Sequence, residues 1–168
     1  MRYTPAAAAL ALLAAVTSSV AFTAPREVLD PRAAALVAQG RAALDSGKVD
    51  AAIDAYEAAL AVQPGAVTVL VDLAGANRRN GMQGKALHYY REALQVDPRN
   101  LVALAGEGEA LAEKGAIEKA RRNLAQVKTL CGGDCDAART LAAAIARGPA
   151  QRVVTAEAVT PQPVVSEN

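Results

Sequence analysis

Apolar residues recur along this chain at three- and four-residue spacing, in paired stretches broken by single glycines. Val49, Ala52, Ile53, Tyr56, Ala59 and Leu60 form one stripe. Ala86, Leu87, Tyr90, Ala93 and Leu94 form a second, and Ile117, Ala120, Leu124, Val127 and Leu130 a third. That spacing marks one face of an amphipathic helix. An earlier helix precedes each stripe, anchored by Leu36, by Leu70, Leu73 and Ala74, and by Leu104, Gly108 and Leu111. Gly47, Gly81 and Gly115 sit in the intervening turns and lie 34 residues apart, as do Ala52, Ala86 and Ala120. A fixed period of this length signals a helix–turn–helix unit copied three times, which buries its apolar faces only by stacking. The pattern predicts an all-α protein.

Local chemistry agrees with the periodicity. Asp30 before Pro31 reads as an N-cap and first helical residue. Pro64 and Pro98 close the second helices of the first two units. Gly40, Ala74 and Gly108 share one phase of the first helices, where small side chains let backbones approach closely. Leu36, Tyr56, Leu70 and Tyr90 are expected to fill the space between units. A seventh helix follows, capped by Asp134 or Asp136, with Ala138, Leu141, Ala142 and Ile145 as its apolar stripe.

These residues resemble the tetratricopeptide repeat. Gly40, Ala52, Tyr56 and Pro64 match its pattern in the first unit, and Ala86, Tyr90 and Pro98 in the second. The third keeps Gly108 and Ala120 but has Leu124 for the aromatic and Gly132 for the proline, and leucines replace the tryptophan throughout. Asn77 stands where a bulkier residue is usual. The resemblance spans about residues 31–147. It implies a right-handed superhelical solenoid of antiparallel helix pairs with about seven helices. Its repeats fall at about 33–66, 67–100 and 101–133, and a capping helix at 134–147 shields the core at the end of the stack.

In repeats of this type the first helices line a concave face. The resemblance therefore points to a peptide-binding groove containing Val37, Arg41, Asp45, Val71, Asp72, Arg78, Arg79, Glu109 and Glu113. Apolar contact would hold an extended segment or amphipathic helix, with charges setting its register. An alternative stays open: Arg78 or Arg79 simply pairs with Glu109 or Glu113 on the neighbouring helix. Some members of the family clamp the terminal carboxylate of heat-shock chaperones with cationic and amide side chains. The corresponding positions here are Val37, Arg41, Asp72, Val102 and Gly106, which offer only one positive charge. That activity is not expected.

The chain ends differ in kind from the repeats. Ala6 to Val16 is an unbroken apolar run of 11 residues after Arg2, too short to span a membrane. Ser19 and Ala21 are small residues where signal peptidase reads them, so residues 1–21 are expected to be a signal peptide cut after Ala21, with an uncleaved anchor or an apolar tail as the alternative. Residues 22–30 read as a linker and 148–168 as a disordered tail, since Pro161 and Pro163 interrupt an aperiodic sequence. Cleavage removes Arg2 and leaves 17 basic residues of 18 against 17 acids. A formally neutral chain has no electrostatic footprint for nucleic acid, and none for anionic lipid. No membrane span remains after cleavage, and the periplasm is the expected compartment, with secretion as the alternative.

Cys131 and Cys135 flank Gly132, Gly133 and Asp134 at the entry to the seventh helix. In an exported chain a close, even pair is expected to form a disulfide. A thiol–disulfide redox factor remains the alternative, although its usual spacer is two residues. The single histidine, His88, falls on an earlier helix, so no metal site or cofactor is expected. His88 and the Lys119, Arg121 and Arg122 group read as solvated surface. No catalytic constellation is evident. The chain is therefore expected to be a non-catalytic adaptor for a protein or peptide of the cell envelope. A competing structural role is self-stacking through the open N-terminal end, unless Val28 and Leu29 fold back over it.

Overall fold

The computed structural model describes residues 27–149. The signal-peptide expectation and all but the start of the tail lie outside the described residues. Regular structure among the described residues is entirely helical, in seven elements. They are α1 (Pro31–Asp45), α2 (Val49–Val62), α3 (Val67–Arg79), α4 (Gln83–Val96), α5 (Leu101–Glu113), α6 (Ile117–Cys131) and α7 (Asp136–Arg147). α1 packs on α2, α3 on α4 and α5 on α6, and each pair then packs on the next through α2–α3 and α4–α5. α7 lies against both α5 and α6.

The 34-residue period has a physical cause in the turns. Gly47, Gly81 and Gly115 have φ of 73°, 74° and 83°, a left-handed conformation that a Cβ disfavours. In each, the glycine amide and the amide after it reach back to carbonyls of the preceding helix: Lys48 N–H to Ala43, Met82 N–H to Asn77, Ala116 N–H to Leu111. The last carbonyls of the helix are thereby satisfied and the chain reverses at once. Ala52, Ala86 and Ala120, five residues on, are all fully buried where the two helices meet. The small phase of the first helices is equally constrained. A Cβ at Gly40 would meet the Tyr56 ring at 2.5 Å, and one at Gly108 would meet Leu141 at 2.7 Å.

The core is a row of three linked clusters. Val37, Ile53, Tyr56 and Leu73 belong to the first, Leu70, Leu87, Tyr90 and Leu111 to the second, and Leu104, Val127 and Leu141 to the third. Leu60 and Tyr89 touch the first and second, and Leu94 and Ile145 the second and third. Tyr56 and Tyr90, equivalent by period, pack differently. Tyr56 covers Gly40 of its own unit, whereas the Tyr90 ring lies against Gly106 of the next. Asn77 is fully buried; its amide donates to the Leu73 carbonyl at 2.9 Å, and its Oδ1 has no partner among the described residues.

Two details differ from the sequence expectation. The N-cap of α7 is Cys135, with no side-chain cap, because Asp134 and Asp136 both bind Arg139 instead. Residues 27–30, expected to be linker, are held in place. Glu27 accepts hydrogen bonds from the amides of Val67 and Thr68 at 2.8 Å each. It thereby caps α3, whose own N-cap, Ala66, has no side-chain acceptor. Gln63 accepts from the Asp30 amide at 2.6 Å. Leu29 packs on the first cluster, while Val28 stays 86% exposed.

Candidate functional site: the concave groove

The first helices α1, α3 and α5 present side chains to two neighbouring depressions, the face that the repeat resemblance assigns to the groove. One, of about 650 Å³, is lined by α1 residues Val37, Ala38, Arg41 and Asp45, with Glu27 and Thr68 at its edge. The second, of about 350 Å³, runs from Leu44, Val71 and Asp72 across Arg78 and Arg79 to Val102, Gly106 and Glu109. α7 walls its far end with Asp136, Ala137 and Thr140. Val102 is 62% exposed, an apolar side chain open to a ligand.

Charges of the groove pair across units. The Arg41 guanidinium donates to the Asp72 carboxylate from Nη2 at 2.8 Å and from Nε at 3.1 Å. Arg78 reaches Glu109 at 2.7 Å and Glu113 at 2.5 Å. One cation thus sits between two carboxylates in a site from which water is largely excluded. Burial pushes the Glu109 carboxyl above its ordinary range; Arg78 opposes the rise and Glu113 adds to it. For Arg78, burial works against the charged form, but Glu109 and Glu113 outweigh it and raise its pKa. Burial also raises the Tyr90 hydroxyl, which lies beside Arg78.

The residues expected to line the groove fall in several places. Arg41, Asp45, Val71, Asp72, Arg78, Arg79 and Glu109 line its depressions. Val37 does so only by its edge, because at 3% exposure it belongs to the first core cluster. Glu109 is only 8% exposed and lies beneath Arg78, so it is available to a ligand mainly through that pair. Glu113, the last residue of α5, opens instead onto a separate depression beside Gly81–Lys85, Lys114 and Pro149. The open alternative is realised for Arg78, whereas Arg79 makes no ion pair among the described residues. Period alone left out Tyr90, Glu27 and the α7 residues. Tyr90 occupies the core stripe of a second helix, and nothing local says that its ring turns toward α5.

Cys131 and Cys135 are joined by a disulfide, with Cα atoms 6.2 Å apart. Gly132 ends α6 at φ 80°, and the Gly133 amide returns to the Lys128 carbonyl at 2.8 Å. The chain thus turns within the bridged loop and lays α7 on α5. His88 is exposed on α4 with Glu92 at 3.7 Å. Among the described residues no group of three or more His, Cys, Asp or Glu side chains is placed to hold a metal ion.

Comparison with known proteins agrees with this architecture. Residues 37–83 match the tetratricopeptide repeat family model. The Sgt2 TPR domain from Aspergillus fumigatus superposes with a TM-score of 0.66 at 26% identity, over 73% of this chain and 83% of that one. The Arabidopsis OM64 TPR domain gives 0.64 at 16% identity, over 69% and 95%. The first TPR of Spaghetti (RPAP3), bound to the HSP90 peptide SRMEEVD, gives 0.62 at 23% identity, over 70% and 97%. No curated protein matches the chain. The fold is an all-α solenoid of the tetratricopeptide-repeat type.

Proposed function

We propose that this chain is an exported, non-catalytic adaptor that holds a segment of another cell-envelope protein in its concave groove. The observation that carries this reading is the second depression, where exposed Val102 and half-buried Val71 stand beside charged side chains at the junction of α3, α5 and α7. An extended segment gains apolar contact there and finds polar groups to fix its register. A similarly folded domain, the first TPR of Spaghetti, holds a peptide, which supports the use of such a surface for binding. Solenoids of this kind typically act as scaffolds rather than catalysts. A chaperone carboxyl terminus is a poor fit here, because Arg41 is already engaged by Asp72.

Export rests on the apolar run from Ala6 to Val16 and the small residues before position 22. The Cys131–Cys135 bridge is in keeping with an oxidising compartment. Intact mass of the protein from its native cells should correspond to a chain beginning at Phe22. A photo-crosslinking residue at Val102 should capture a partner, while one at His88, on the outer face of α4, should not. Capture confined to His88 would reject the groove as the docking surface.

A further inference from the structure

We infer that the groove selects a positively charged segment, one with lysine or arginine flanking apolar residues. This rests on the concave face being the docking surface. Five carboxylates and three guanidiniums line its two depressions. The cations are largely spent within the protein: Arg41 on Asp72, and Arg78 on both Glu109 and Glu113. That second cluster retains one negative charge in excess. Glu27 is turned onto the amides of α3. Asp45, exposed in the first depression, has no ion-pair partner among the described residues. Asp136, exposed at the α7 end, shares the single guanidinium of Arg139 with Asp134. Arg79, and Arg147 through its field on Glu109, oppose this excess without cancelling it.

The two exposed carboxylates therefore stand toward opposite ends of the groove, with Leu44, Val71 and Val102 on the surface of the second depression. A concave surface walled by low-dielectric protein focuses the field of such charges. A segment that brings cations to both ends and apolar side chains between them complements it in charge and contact. Rim charges of this kind act on selectivity and encounter rate more than on total affinity, so a moderate preference follows.

The test uses the disulfide-bonded chain and three capped, unstructured peptides with leucine at alternate positions. Between the leucines one carries lysine, the second glutamate and the third glutamine. Fluorescence anisotropy at low salt should show the lysine peptide binding about tenfold more tightly than its glutamate twin, a gap that narrows as salt screens the charges. In Asp45→Asn/Asp136→Asn, which removes both exposed charges without placing a cation at the α7 N-terminus, the preference should vanish while the thermal melt stays near that of the parent. Equal binding of all three peptides, or tighter binding of the glutamate one, would overturn the charge preference and leave the groove reading intact. So would a lysine preference that survives the double substitution. Failure of all three to bind would reject the groove reading itself.

Discussion

Arg78 is the residue on which the groove floor depends. It pairs with two carboxylates, Glu109 and Glu113, in a site where each side chain is at least three-quarters covered. Removing one member of a desolvated ion cluster leaves uncompensated charge, which costs more than the cluster contributes when intact. Arg78→Ala should therefore lower stability by about 2–4 kcal/mol, measured by urea unfolding, and the companion change Glu109→Gln should recover part of it. Glu109 also sets a pH dependence. Its folded pKa is raised, chiefly by burial, above the ordinary 4.5. The folded state then favours the protonated form, so the contribution is fully present below that ordinary value and is lost as pH rises through the raised one. Melting temperatures across this window should include a falling component in the parent that Glu109→Gln abolishes.

At the scale of elements, the turns and small-residue phases were legible because each is a local requirement. Asp30 accepts from the Arg32 amide as an N-cap should, and the turn glycines adopt the conformation that their period implied. Contacts that cross between elements were not legible. Glu27 lies 40 residues from the Val67 amide it binds, and no periodic signal links them. Because Ala66 offers no side-chain cap, Glu27→Ala should destabilise the protein by about 1 kcal/mol. Amide hydrogen exchange should rise at Val67 and Thr68 and remain unchanged at the α6 amides. Unaltered exchange at those two amides would show that the cap is not formed in solution. The α7 cap illustrates the same limit: two aspartates are equally placed by sequence, yet a guanidinium one turn further on takes both.

Across the whole molecule, stability is shared along a row of clusters, and its C-terminal end depends on how α7 is held. The Cys131–Cys135 bridge closes a very short loop, worth about 2 kcal/mol in the chain-entropy estimate. The Cys131→Ser/Cys135→Ser double variant should lose about that much, with exchange rising first in α7 and least in α1 and α2. Uniform loosening of every helix would contradict this local role. Since Asp136, Ala137 and Thr140 wall the second depression, the same variant should also bind any groove ligand less tightly.

Sequence by itself determined the helices, their pairing and most of the face that each turns inward, with Val37 and Glu109 more buried than the pattern implied. Those follow from periodicity and from residues whose roles are local: a glycine that must accept positive φ, a proline that ends a helix, an alanine where two backbones approach. Tertiary structure alone decided which charges remain unpaired in the depressions, that Glu27 is consumed by a distant helix terminus, and that α7 walls the second depression as well as closing the core. These depend on distances between side chains far apart in the chain, and a one-dimensional pattern encodes which face a residue occupies but not which partner reaches it first.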